Sequence, residues 1–274
     1  MMVSVLAVGT ELVVGQTVNK NASWLSDRLK QLGIRTALHM TVPDDRSLIL
    51  AGLNFCAAHS EIILVTGGLG PTTDDFTRDL ISEWAEQALE FDEASWQKIK
   101  DRMSLRKVPV QDFQKQQCFF PKAAQILQNS EGTANGFQIR AHGKDLIALP
   151  GPPREINAIW TASLVAWFTQ ISQKIDKHLT WSWDTFGLGE SQIMQLAEAA
   201  LSGHPFTEGE IEIGYRVHGP RINLDSPGLG PAEQNYVEVK LSCFESQRKL
   251  VEPWINRLEL ALKDVLVPLS GKSR

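Results

Sequence analysis

The sequence predicts an α/β protein with a mainly parallel sheet, followed by a smaller α+β unit. Three observations carry that expectation. Over the first ninety residues, short continuous apolar runs alternate with stretches of helical spacing. Such runs suit strands covered on both faces, and their alternation with helices favours parallel pairing. Near residue 176 the pattern changes to strands grouped with two helices. The chain of 274 residues, 43% apolar and 22% charged, is long enough for about two globular domains and excludes wholesale disorder.

Taken in order, Val3, Val5, Leu6, Ala7 and Val8 form a first buried strand that ends at Gly9. Asn21 reads as the cap of a helix with Ala22, Leu25, Leu29 and Leu32 on one face and Gly33 closing it. Ile34, Thr36, Leu38, Met40 and Val42 alternate like a second strand, up to Pro43. A helical stretch follows from Ser47 to Ala58, then the apolar strand Ile62 to Val65, a glycine-rich turn, and helical spacing from Phe76 to Leu89. This βαβαβα order implies crossover connections with helices on both faces. Glu90 to Pro121 reads as helical and polar, lying over the sheet edge. Gln138 to Arg140 and Leu146 to Leu149 form a strand pair, and Pro150-Gly151-Pro152-Pro153 leads into a helix reaching about Lys174. Beyond it, Leu179 to Phe186, Ile211 to Val217 and Tyr236 to Cys243 read as strands, and Glu190 to Leu201 and Glu245 to Val267 as helices. Leu224 to Pro231 reads as a loop. Two domains are expected, 1–175 and 176–274.

Charge and composition narrow the partners. Lys and Arg number 27 against 32 Asp and Glu, a net charge of −5, with no basic block to serve as a nucleic-acid-binding arm. A phosphorylated ligand would therefore need backbone N–H groups, a cation or a few placed basic side chains. The most apolar stretch, Ile156 to Ile171, is interrupted by Asn157, Thr161, Ser163, Thr169 and Gln170, so a buried helix is expected and no membrane span. The N-terminus lacks a basic region and meets Glu11 early, unlike a signal peptide. Cys56, Cys118 and Cys243 are far apart and read as buried thiols in a reducing compartment, so a soluble, cytoplasmic protein is expected. The histidines show no ligand pair at helical spacing, no dinucleotide fingerprint follows the first strand, and Gly271-Lys272-Ser273 only imitates the end of a P-loop.

The strongest chemical signal is Thr66-Gly67-Gly68-Leu69-Gly70-Pro71-Thr72-Thr73-Asp74-Asp75. It lies between a buried strand and a helix, at the carboxyl end of a parallel strand, where open α/β sheets bind ligands. Glycines let backbone approach a phosphate, and Asp74 and Asp75 suit a divalent cation between them and the ligand. The plainer alternative is a strand-to-helix turn with Asp75 as N-cap. Thr10-Glu11 with Gly15, Asn19 and Asn21, then Pro43-Asp44-Asp45, and finally Pro150-Gly151-Pro152-Pro153 all follow strands that would end at the same edge. Together they would make an acidic, glycine-lined cleft. Trp160 and Trp167, seven apart on one helix, read as core or subunit interface.

These segments resemble the CinA (competence/damage-inducible protein A) family. The resemblance rests on Gly9-Thr10-Glu11-Leu12 with Gly15-Gln16 and Asn19-x-Asn21, and on Gly67-Gly68-Leu69-Gly70-Pro71-Thr72-x-Asp74-Asp75-x-Thr77. It continues through Lys115-Gln116, Asn129-x-x-Gly132-Thr133-Ala134-x-Gly136-Phe137, Leu149-Pro150-Gly151-Pro152-Pro153-x-Glu155 and Thr185-Phe186-Gly187-Leu188-Gly189-Glu190-Ser191. The resemblance implies a three-layer molybdopterin-binding-like α/β domain, a small KH-like α+β domain, a homodimer, and metal-dependent hydrolysis of ADP-ribose to AMP and ribose 5-phosphate. It maps the functional acid pair of related molybdopterin-binding enzymes onto Asp44 and Asp75, while Asp74 stands where those relatives carry a basic residue. Departures are Asn135 in place of a usual proline, Gln114 and Gln117 around Lys115-Gln116, and no evident G-x-x-G clamp. Glu208, Glu210 and Glu212 make that last region acidic. The amidohydrolase domain usual in full-length relatives is not expected here.

The expected site therefore has Asp44, Asp74 and Asp75 as catalytic acids, with Asp44 orienting or deprotonating water. Asp75, Asp74 and Glu11 are the candidate ligands of a divalent cation such as Mg²⁺, Co²⁺ or Ni²⁺. A nucleotide substrate would touch Glu11, Asn19, Asn21, Thr66, Gly67, Gly68, Gly70, Pro71, Thr72, Lys115 and Gly151. The rivals are a molybdopterin or nucleotide binder without hydrolysis, and an interaction scaffold sensitive at Trp160 or Trp167.

Overall fold

Six strands build the larger sheet: β1 (Met2–Val8), β2 (Arg35–Val42), β3 (Ile62–Thr66), β6 (Gln125–Leu127), β7 (Gly136–Ala141) and β8 (Lys144–Leu149). Their order is β2-β1-β3-β8-β7-β6. β1 runs parallel to β2 and β3, and β3 to β8, while β7 and β6 add an antiparallel edge. This is the expected mainly parallel α/β sheet. The computed structural model describes residues 1–203, 211–219 and 236–266. The chain divides into two units, Met1–Ile175 and Asp176–Arg274.

Alternation along the central strands feeds two cores. Leu6, Val8, Ile63, Val65 and Ala148 pack with Ile49, Leu53, Leu80 and Ile81 of α3 (Arg46–His59) and α4 (Thr77–Trp84). Val3, Val5, Ile62, Leu64, Ile147 and Leu149 pack with Leu25 and Leu29 of α2 (Lys20–Gln31), and with Ile156 and Ile159 of α6 (Pro153–Ile159). Successive side chains of a strand point to opposite faces, so each core belongs to one layer of helices. The predicted helix to Lys174 is α6, a π-helical turn at Trp160–Leu164, and α7 (Val165–Ser172). Trp160 is buried, edge-on to Trp24 and stacked on Phe168, so it is a core residue.

The sequence pattern misplaces several boundaries. The helix expected from Phe76 to Leu89 stops at Trp84, because Glu86 takes φ 54° and the chain turns into β4 (Leu89–Phe91). β4 pairs antiparallel with β5 (Phe119–Pro121), so the supposedly helical middle contains a two-stranded sheet around α5 (Glu93–Leu105) and a 3₁₀ turn, Asp112–Cys118. Short strands of three residues give periodicity too little length to register. The Cys56, Cys118 and Cys243 thiols are free and buried, and burial pushes each up to about 11. Among the described residues no helix is long and apolar enough to cross a membrane.

In the second unit, β9 (His178–Thr185), β10 (Ile211–His218) and β11 (Tyr236–Phe244) form an antiparallel sheet in the order β10-β11-β9. Val237, Val239 and Leu241 face Ile193 and Ala197 of α8 (Glu190–Leu201) and Val251, Ile255 and Leu258 of α9 (Arg248–Leu262). The last helix starts after a 3₁₀ turn, Glu245–Gln247, rather than at Glu245. Glu238 shows the electrostatics of this sheet. Burial alone would raise its carboxyl, but bonds from Ser182, Lys240 and His218 outweigh burial and hold it at about 2. The predicted loop Leu224 to Pro231, the acids Glu208 and Glu210, and Gly271 to Ser273 lie outside the described residues.

Candidate functional site

β1 lies between β2 and β3, so the chain reverses its direction of sheet growth there. That arrangement opens a crevice at the carboxyl ends of the strands. Because β1, β2, β3 and β8 are parallel, the segments after them emerge on one edge: Gly9 to Asn19, Pro43 to Asp45, Thr66 to Phe76, and Pro150 to Pro153. The convergence expected from the sequence is present in the fold.

Contacts between these segments are close. Gly67 has φ 97°, and a Cβ there would overlap the Val8 carbonyl oxygen at the end of β1. Its N–H donates to Leu149 O at 3.0 Å, at the end of β8. Gly68 has φ 66°, and a Cβ would overlap the Thr77 hydroxyl, which is fully buried and has no hydrogen-bond partner among the described residues. Only glycine tolerates both the left-handed backbone and these approaches. Gly70 carries the Asp75 carboxylate against its Cα, leaving no space for a side chain. Thr66 is buried at the end of β3, Pro71 is partly exposed, and Thr72, Thr73 and Asp74 are exposed.

Asp75 does not cap the helix that follows it. The N-cap is Phe76, with no side-chain bond, and one Asp75 oxygen accepts instead from Thr72 N at 3.0 Å and from the Thr72 hydroxyl. Asp44 is held in the same way from a distant segment. One of its oxygens accepts from Thr10 N at 2.8 Å and Thr10 Oγ1 at 2.9 Å, while Asp44 N donates back to Thr10 Oγ1 at 3.1 Å. Among the described residues the second oxygen of each acid takes no hydrogen bond. β2 and β3 are two strand positions apart, which sets the two loops on the order of 10 Å from one another. Asp74 is exposed, and a bond from Thr72 holds its carboxyl below the usual range. Asp45 caps α3 through Leu48 N at 2.9 Å and is otherwise occupied by Ser47.

One sequence expectation is corrected here. Asn19, not Asn21, caps α2, its Oδ1 accepting from Ala22 N at 3.1 Å. Asn21 Nδ2 donates to Gly151 O at 2.8 Å, tying the start of α2 to the turn after β8. Lys115 is paired with Asp112 at 2.8 Å and lies over Trp96, so its ammonium is engaged within its own turn and with α5. Its neighbour makes the contact to the glycine loop: Gln116 Nε2 donates to Asp75 O at 2.9 Å and Thr72 O at 3.2 Å.

Glu11 sits in the short helix Thr10–Val13, and its carboxylate fills the space a Cβ on Gly9 would need. Among the described residues no three His, Cys, Asp or Glu side chains are gathered to hold a metal ion, so Asp75, Asp74 and Glu11 are not joined in one cluster. The donor set suits a different mode of cation binding. Mg²⁺ commonly binds one or two carboxylates plus substrate phosphates rather than an all-protein cage. The unbonded oxygen of Asp75 beside the glycine loop fits that mode.

Sequence reasoning assigned no role to a second polar network beside Pro150–Pro153. Asn129 Oδ1 accepts from Glu131 N and Gly132 N at 2.9 Å each, and its Nδ2 donates to Ala134 O at 2.8 Å and Glu155 Oε2 at 2.7 Å. Asn135, where the resemblance expects proline, accepts from Asn129 N at 3.0 Å and Lys98 Nζ at 2.5 Å, and donates to Ser95 Oγ at 2.9 Å. A proline could make none of these side-chain bonds. Burial pushes Lys98 down to about 8.

Comparison with known proteins identifies the family. Residues 4–170 match the family described as "Probable molybdopterin binding domain". A "Putative competence-damage inducible protein" of Caldicellulosiruptor saccharolyticus is 36% identical over 267 residues, covering 97% of this chain and 60% of the relative. One of the same name from Desulforamulus reducens is 29% identical over 256 residues, covering 93% of this chain and 61% of the relative. The chain thus spans about three fifths of the length of these curated relatives. A crystal structure of the protein CinA from Thermoplasma acidophilum, titled as of unknown function, matches with a TM-score of 0.55 and 30% identity, covering 59% of this chain and 94% of that one. The chain belongs to the molybdopterin-binding-domain family and, within it, to the CinA-type competence-damage inducible proteins.

Proposed function

We propose that the first unit hydrolyses the pyrophosphate bond of ADP-ribose, or of a related nucleoside diphosphate derivative, giving AMP and ribose 5-phosphate. The observation that carries this reading is the pair of threonine-clamped acids. Asp44 and Asp75 stand on loops at the switch point of the sheet, each with one oxygen fixed and the other without a hydrogen bond. Asp75 stands on a glycine loop that is partly exposed at Gly68 and Gly70, where no side chain bars the approach of a diphosphate.

In this mechanism the loop backbone holds the diphosphate through N–H donors, and Gly151 bounds the opposite side. Asp44, fixed by Thr10, orients a water for attack on phosphorus and accepts its proton. Asp75, with exposed Asp74 beside it, would hold a divalent cation when one is bound with the diphosphate. A divalent cation supplies charge neutralisation and Lewis-acid activation at the bond to be cut. The water oxygen joins one phosphorus, the bridging oxygen leaves with the other, and the products carry one phosphate each.

The alternative is a molybdopterin or nucleotide binder with no chemistry, which the family description also accommodates. The two separate on product formation. AMP release from ADP-ribose is measured with Mg²⁺, Co²⁺ or Ni²⁺ and again in EDTA. Release that requires the metal supports hydrolysis; tight ADP-ribose binding with no AMP under any metal favours the binder.

A further inference from the structure

Directly behind the glycine loop lies a cation that no sequence motif assigned. Arg78, one residue into α4, is 1% exposed. Its guanidinium donates to Leu69 O at 3.1 Å and Gln116 O at 2.9 Å, rests over the Phe120 ring, and keeps one buried nitrogen, Nε, without a partner among the described residues. Burial pushes it down to about 10, which still leaves it charged at neutral pH. Gln116 completes the clasp from the front of the 3₁₀ turn with its bonds to Thr72 O and Asp75 O. Three carbonyls of the loop are therefore drawn toward Arg78 and Gln116.

The peptide unit converts that inward pull into an outward effect. A trans peptide is planar, with C=O and N–H on opposite sides. Turning Leu69 O inward points the Gly70 N–H the other way, and turning Thr72 O toward Gln116 does the same for the Thr73 N–H. Gly70 N and Thr73 N donate to no backbone or side-chain acceptor among the described residues. Gly70 is partly exposed and Thr73 is exposed, and neither N–H is taken up by the protein among the described residues. Without the clasp a flipped peptide would present a carbonyl oxygen, which repels an anion.

We infer that Arg78 and Gln116 are positioning residues that fix the glycine loop with N–H groups outward, and so create its affinity for the phosphates of a nucleoside diphosphate derivative. This rests on the pyrophosphatase reading for the identity of the ligand, but not for the loop geometry. It also gives the Lys115-Gln116 pair a role that belongs to the amide rather than the ammonium.

Gln116→Ala tests it, since Gln116 is only half-buried and its loss is compatible with folding; Arg78→Lys is the companion variant that keeps the charge and loses the fork. Each is compared with the native full chain by thermal melting, by KM and kcat on ADP-ribose with Mg²⁺, and by calorimetric titration of inorganic pyrophosphate. Gln116→Ala is expected to raise KM and the pyrophosphate Kd by about tenfold, the loss of one or two hydrogen bonds to a charged-ligand loop, while kcat stays within about threefold. A purely structural residue would lower the melting temperature and leave the KM of the folded fraction unchanged, and that result overturns the proposal. If the native chain binds pyrophosphate without cleaving ADP-ribose, the pyrophosphatase reading fails while the clasp stands or falls on the Kd ratio. A native chain that binds neither overturns both.

Discussion

The two acids at the switch point reach the same geometry by opposite routes. Asp75 is clamped by Thr72, three residues earlier on the same loop, whereas Asp44 is clamped by Thr10, 34 residues away at the end of a neighbouring strand. In both, one carboxylate oxygen takes a backbone N–H and a threonine hydroxyl. The local clamp forms whenever the glycine loop turns; the distant one forms only when β1 and β2 are paired in register. The Asp75 side of the site is thus a property of a short sequence, and the Asp44 side a property of the fold.

That contrast can be broken at several strengths. The largest effect expected is on turnover: Asp75→Asn and Asp44→Asn should each lower AMP release by about a thousandfold, the usual range for a lost acid–base or ligand group. Equal losses would confirm that the acids work as a pair; loss at Asp75 alone would reduce Asp44 to a loop anchor. Next, Gly67→Ala should destabilise the chain by about 3 kcal/mol or more in denaturant titration, because it adds a Cβ at φ 97° against the Val8 carbonyl. Gly70→Ala should act differently, displacing Asp75 and reducing turnover more than stability, which paired melting and activity measurements separate.

Smaller effects sharpen the difference between local and distant clamps. Thr10→Val and Thr72→Val each remove one hydroxyl donor, worth about 1 kcal/mol or somewhat more to a carboxylate. Thr10→Val should also loosen the β1–β2 end, visible as faster amide exchange at Asp44, whose N–H loses its acceptor. Asn19→Ala should cost about 1 kcal/mol through the lost cap of α2. Asn21→Ala should leave helix content intact and act on the Gly151 turn, read as a change in KM rather than in circular dichroism.

Glu238 gives a pH test in the second unit. Its carboxyl sits at about 2 in the folded chain, below the value near 4.5 expected when unfolded. A depressed carboxyl contributes stability that is full above the unfolded value and is lost as pH falls toward the folded one. The contribution, on the order of 2–3 kcal/mol, should fade between about pH 4.5 and 2. Glu238→Gln should flatten that part of the acid-unfolding profile.

What was legible in the sequence follows the same division between local and distant. β1, β3 and the helices between them were readable because continuous apolar runs and helical spacing are local signals. The glycine loop was readable because three glycines and two acids in ten residues exceed what a turn needs. The β4–β5 pair was not, since three-residue strands paired across 28 residues leave no period to detect. Asn21 reads as the cap because it precedes the apolar face directly, yet Asn19 caps the helix two residues earlier and Asn21 is drawn away by Gly151. Arg78 and Gln116 leave only indirect traces: an arginine after Thr77 in an amphipathic helix, and a glutamine next to a lysine. Their partners are backbone carbonyls, which no residue type announces.

The central claim, that a threonine-clamped acid pair cleaves a pyrophosphate bond with a divalent cation, is tested most directly by AMP release from ADP-ribose. The native chain and Asp75→Asn are assayed side by side with Mg²⁺, Co²⁺ or Ni²⁺ and with EDTA, after melting curves establish that both are folded. Metal-dependent AMP and ribose 5-phosphate are expected from the native chain, with both lost in the variant. Near-native release by folded Asp75→Asn, or native release that survives EDTA, would contradict it.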